Sequence, residues 1–78
     1  MRIRIKNRRE GPIPLEARVT ISTANGRAEE VIVHQGEIDE RGIEVDYIGE
    51  TEGLLLIELP RRTLSGRWRV WVPISTVA

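Results

Sequence analysis

A chain of 78 residues, 40% hydrophobic and 31% charged, has room for one small domain over 1–78 with an economical core. Cysteine is absent, which excludes disulfides, thiolate metal sites and cysteine nucleophiles. No run of about 18 apolar residues offers a membrane helix, and the opening Met1-Arg2-Ile3-Arg4-Ile5-Lys6 alternates charge and bulk unlike a targeting peptide, so the expectation is a cytoplasmic chain with no membrane contact.

Taken in order, Arg2 to Lys6 reads as a half-buried strand, with Ile3 and Ile5 on one side and Arg2, Arg4 and Lys6 on the other. The stretch from Asn7 to Pro14 reads as a break, because Gly11, Pro12 and Pro14 oppose regular pairing. Leu15, Ala17, Val19 and Ile21 then alternate with Glu16, Arg18, Thr20 and Ser22, the cleanest strand pattern in the chain. Asn25-Gly26 predicts a tight hairpin turn, since both residues tolerate positive φ. A return strand follows from Arg27 to His34. Its Val31-Ile32-Val33 run implies cover on both faces.

Gln35-Gly36 and Arg41-Gly42 read as turns around a short extended piece at Glu37-Ile38-Asp39. The next strand places Ile43, Val45 and Tyr47 on one face. Leu54 to Leu59 is the most apolar segment and is predicted to be a central strand. After a loop from Pro60 to Gly66, the last strand spans Arg67 to Ile74, with Trp68, Val70 and Val72 inward and Arg67, Arg69 and Trp71 opposite. No helical periodicity is present, and turn signals recur every 8–12 residues or so, the spacing of an all-β sandwich or barrel. Closure removes exposed edges, so the expected fold class is all-β: a small β-barrel of about six antiparallel strands.

The zero net charge conceals segregation. Residues 1–9 carry five basic groups and residues 60–78 four, with no acid in either stretch. Between them, 12 acids face three arginines, a net of −9. One reading pairs basic with acidic strands across a sheet. The other builds a basic face for phosphate where the two ends meet.

Candidate chemistry is sparse. His34, the single histidine, stands at a strand end with no serine in a nucleophile-elbow pattern. Acids crowd residues 37–52, but they alternate with Ile38, Ile43, Val45 and Ile48 as the wet faces of strands do, and no metal-ligand spacing is seen. The glycines are scattered as turn formers, with no phosphate-cradling loop. These observations predict no enzyme, no metal and no cofactor. Arg67, Arg69 and Trp71 share one predicted face, the combination with which single-stranded nucleic-acid binders stack a base and hold phosphate. The more ordinary role of such a tryptophan is to cover a barrel end or a packed loop, because a large indole is usually substantially buried.

One distributed pattern remains. Arg8-Arg9, then Ile13-Pro14-Leu15-Glu16-Ala17-Arg18-Val19, resembles the opening of PilZ domains, and Arg4 and Arg8 match that family's four-residue arginine spacing. Glu37-Ile38-Asp39-Glu40-Arg41-Gly42 is similar to its Asp/Asn-x-Ser-x-x-Gly segment, and Leu55-Leu56-Ile57-Glu58-Leu59-Pro60 to a later strand. The resemblance implies a barrel that binds cyclic di-GMP, with Arg4, Arg8 and Arg9 on phosphate and guanine and with Glu37, Asp39 and Gly42 completing the site. Here, however, Glu37 replaces Asp/Asn and Asp39 replaces Ser. A carboxylate beside a phosphodiester costs on the order of 1 kcal/mol even at high dielectric, so cyclic di-GMP binding is expected to be impaired or absent. The leading expectation is a non-enzymatic binding or regulatory module, a degenerate PilZ-like domain acting through a protein partner or self-association. A small-barrel nucleic-acid binder is the alternative.

Overall fold

A computed structural model describes residues 1–78 and is all-β. Its strands are β1 (Arg2–Ile3), β2 (Asn7–Glu10), β3 (Glu16–Ser22), β4 (Ala28–His34), β5 (Ile38–Asp39), β6 (Gly42–Glu44), β7 (Asp46–Thr51), β8 (Leu54–Glu58) and β9 (Arg69–Pro73), with short 3-10 turns at Ala24–Gly26, Gln35–Glu37 and Ile74–Thr76. They form three antiparallel sheets ordered β1-β6-β5, β2-β3-β4 and β7-β8-β9. No closed barrel is found, and the strand total exceeds six because long stretches of chain bend and change sheet. Residues 2–10 pair first with β6 and then with β3. Residues 42–51 serve β1 and then β8.

The core is wholly aliphatic. One cluster gathers Ile3, Ile21, Ile43, Val45, Leu55, Ile57, Leu59, Val70 and Val72; a smaller one holds Ala17, Val19, Val31 and Val33. Ile5 and Ile38 pack against both and join them. Period-two alternation accounts for this inner surface, strictly so along β3, where Ala17, Val19 and Ile21 are buried between half-buried neighbours. β8 lies at the centre of its sheet, as its apolar run predicts.

Several expectations are corrected. Asn7–Glu10 is not a break but an edge strand, from Asn7↔Thr20 to Glu10↔Ala17. Proline and glycine interrupt pairing only from Gly11 onward. An edge strand needs no buried face, and its charges discourage pairing with another chain. Arg8 and Arg9 therefore sit on a strand, not in a loop. Leu15 lies outside β3, exposed, at φ 74°. That conformation costs a leucine on the order of 1–3 kcal/mol. The hairpin connection is five residues long, Thr23 to Arg27, because Thr23 is drawn into the interior; Asn25 and Gly26 do take positive φ. Tyr47 is 49% exposed where a bulge between Tyr47 and Gly49 shifts the register. Trp68 precedes β9 and is 46% exposed, with the Arg62 guanidinium 5.1 Å above its ring.

The gaps between sheets are bridged in two places. Ile3 pairs with Val77, and the Arg4 N–H donates to the Thr76 carbonyl. Val31 pairs with Thr63, and the Leu64 N–H donates to the Glu30 carbonyl, which lays the 60–67 loop along β4. Between β9 and the β3–β4 hairpin no backbone hydrogen bond forms.

Gly42 sets how closely β6 approaches β1. It is buried at φ 107°, and a Cβ there would lie 1.8 Å from the Ile3 carbonyl oxygen. Gly42→Ala is therefore expected to destabilise the fold by at least about 3 kcal/mol, read as a lowered denaturant midpoint.

Candidate functional site

Charge segregation resolves mainly into pairs. Arg2 contacts Asp39 at 3.2 Å and Glu44 at 3.8 Å; Arg9 contacts Glu30 at 2.9 Å; Arg61 contacts Glu37 at 3.0 Å and Glu16 at 3.7 Å. Arg67 meets Glu29 at 3.5 Å and Arg69 meets Glu58 at 3.0 Å. Five arginines of the two ends thus reach acids of the middle, Arg61 and Arg67 from the loop before β9, whereas Arg4, Arg8 and Arg62 have no acid partner. Exposed pairs of this kind contribute about 0–1 kcal/mol each, so their main effect here is to orient side chains.

The residues that the PilZ resemblance selects lie on several surfaces. The Arg4 guanidinium donates to the Ser75 carbonyl beside the last turn. Arg8 and Arg9 are on the β2 edge, where Arg9 is held by Glu30. Glu37 caps the turn after β4, accepting from the His34 N–H at 2.9 Å and from Arg61 at 3.0 Å. Asp39 accepts from the Arg41 N–H, and Gly42 is buried under β1. No hydrogen bond, ion pair or shared cavity joins the three arginines to the Glu37–Gly42 segment. His34 is occupied locally: its Nδ1 accepts from the Gly36 N–H at 3.0 Å.

The other group does come together. Arg67, Arg69 and Trp71 line a hollow of about 190 Å³ between β9 and the hairpin, with Asn25, Arg27 and Glu29 on the opposite wall. Register explains why it is open. The Leu59 N–H donates to Trp68 and the Ile74 N–H to Gly53, so alternate residues of β9 turn their backbone groups toward β8. By the antiparallel alternation, the backbone groups of Arg69 and Trp71 face away from β8, toward the hairpin. Arg27 was not picked out by sequence reasoning. Its place depends on how the hairpin folds back, which no local pattern encodes. Arg27 has no ion-pair partner, whereas Glu29 and Glu58 hold Arg67 and Arg69.

Trp71 is 39% exposed and stands in a cross-strand row with Leu56 and Gly49, beside the row Pro73, Leu54 and Thr51. Tyr47, Trp68 and Trp71 are all exposed, so every aromatic ring of the chain is at the surface. A large indole is ordinarily substantially buried. Two half-exposed tryptophans over an aliphatic core thus mark the surface near β9. No helix is long and apolar enough to cross a membrane. No protein-family model, curated protein or solved structure matches the chain.

One carboxylate near the β1–β6 pair has a perturbed titration. A hydrogen bond from the amino-terminal ammonium, aided by Arg2 and Arg41, holds the Glu44 carboxyl below its ordinary value of 4.5. A carboxyl depressed in the folded state stabilises above its unfolded pKa, and the gain disappears as pH falls through the folded value. Stability should decline as pH drops below about 4.5, and this decline should be shallower in Glu44→Gln, as measured by urea midpoints across the acid range.

Proposed function

We propose that the chain is a non-enzymatic binding module that works through protein contacts, and that its contact surface is the outer face of β7–β8–β9 around Trp71. One observation carries this: a half-exposed tryptophan stands in an apolar cross-strand patch, bordered by arginines whose acid partners hold them in place. Protein interfaces combine an apolar centre, enriched in tryptophan and arginine, with a polar rim. The same reading takes the three sheets as the wall of a small barrel left open beside β9. The PilZ-type arginines, spread over several surfaces, give no support to a cyclic di-GMP site.

A second reading is favoured by the hollow itself, where Arg27, Arg67 and Arg69 surround Trp71. There a base would stack on the indole and two or three phosphates would meet guanidinium groups. Glu29 and Glu58 offset part of that charge, which is why we place this reading second.

Panning a linear-peptide display library on the immobilised chain tests the first reading. Enriched peptides are expected to weaken about tenfold or more on Trp71→Ala and to be indifferent to Arg8→Ala on β2. Peptides that ignore Trp71→Ala would overturn it. The second reading expects a single-stranded oligonucleotide to bind at about 50 mM salt, with a slope of log affinity on log salt near −2 for three phosphates. Absence of binding at that salt ends it.

A further inference from the structure

The two most exposed large apolar side chains are Ile13 and Leu15, at 58% and 65%. The turn that carries them is held firmly. Pro12 and Pro14 fix two φ angles. The Gly11 N–H donates to the Glu16 carbonyl at 3.1 Å, the Glu16 N–H to Ile13 at 3.3 Å, and the Gln35 N–H to Leu15 at 2.7 Å. The Gln35 side-chain amide adds a bond to the Glu16 carbonyl at 3.3 Å. Leu15 enters the left-handed region, where a leucine goes only against strain. A preorganised apolar prong loses little conformational freedom on docking.

We propose that this prong docks, head to tail, on the Trp71 face of a second copy of the chain. The proposal rests on the reading of that face as a protein-contact surface and names its occupant. Polarity and charge both match. The prong is flanked by Glu10, which has no ion-pair partner, and by Glu16, which Arg61 engages at 3.7 Å. The Trp71 face is bordered by Arg67 and Arg69, which Glu29 and Glu58 hold, and by Arg27, which has no partner, so the free charges that match are Glu10 and Arg27.

A copy cannot serve its own face. The β3–β4 ladder runs from Glu16↔His34, beside the prong, to Ser22↔Ala28, beside the hollow. Six steps at about 3.3 Å put the two ends roughly 20 Å apart. Complementary surfaces at opposite ends make a heterologous contact, which propagates as a chain or closes as a ring. Four prong residues cover less than the roughly 800 Å² per partner of a standard interface, so the association is weak and depends on concentration.

Sedimentation equilibrium tests this. The weight-average mass of the wild-type chain is expected to rise above 8.9 kDa as concentration approaches about 1 mM, and to fall back with added salt. Ile13→Ser with Leu15→Gly removes both apolar side chains of the prong while glycine accepts the backbone angle at 15, so this variant should melt no lower than wild type yet remain monomeric. Trp71→Thr removes the centre of the face, and Arg27→Glu in the exposed hairpin, used should β9 fail to fold, reverses the free charge at its border; either should also remain monomeric. Mixed at equal concentration, a prong-deficient and a face-deficient variant should form a complex of two copies and nothing larger. The proposal is overturned if the wild type stays monomeric, if either variant alone associates as the wild type does, or if the mixture stays monomeric. Display peptides that still require Trp71 would then leave the contact surface standing with a different protein as its partner, whereas loss of both results would remove the surface as well.

Discussion

The structure depends on a core with no aromatic in it, split into two aliphatic clusters that only Ile5 and Ile38 join. Branched aliphatic side chains suit a pleated surface and fit close-packed layers. With so few of them, the chain cannot form one broad sheet. It bends instead, and the segment around Ile5 crosses from the β6 pairing to the β3 pairing while its side chain remains under both clusters. The close approach of Gly42 to Ile3 is made within one sheet, between the paired strands β6 and β1. Sheets this small must draw near one another for thirteen side chains to seal an interior.

That economy governs the surface. A core filled by Ile, Val and Leu leaves Trp68, Trp71 and Tyr47 outside, where each finds a polar or cationic neighbour or an apolar patch. The charges follow a similar rule. Basic termini and an acidic middle come into contact because the bends lay the first and last strands against the central ones. Arg2, Arg9, Arg61, Arg67 and Arg69 each find a carboxylate. Charge thus directs side chains more than it stabilises the fold, and the surface near β9 owes its order to those pairs.

Much of this was legible beforehand at particular residues. Ala17, Val19 and Ile21 were readable as inward-facing because alternation is a property of the backbone pleat and needs no knowledge of partners. Leu55 and Ile57 were readable for the same reason, and so was the shared side of Arg69 and Trp71, whereas Arg67 precedes β9 and joins them from the turn at Thr63. Four places resisted. Asn7–Glu10 carries no apolar residue, so nothing in it announces a strand; it pairs because β3 presents a free edge. Leu15 continues the alternation of β3 but stands beyond its first residue, where the proline turn dictates the backbone. Tyr47 obeys period two until a bulge resets the register. Trp68 shares the parity of Val70, yet β9 begins one residue after it.

Residue order therefore decided which side chains face inward along each extended run, where turns interrupt those runs, and that no helix competes. These are local consequences of alternating geometry and of glycine and proline. Tertiary structure decided which runs become neighbours, that the ladders fall into three sheets, and that Arg27 faces Trp71 across a hollow while the prong of Ile13 and Leu15 lies at the far end of the hairpin. Each of these results depends on contacts between residues far apart in the chain. Their energies come from shared burial and from edges left paired or unpaired, quantities that exist only once the strands have met.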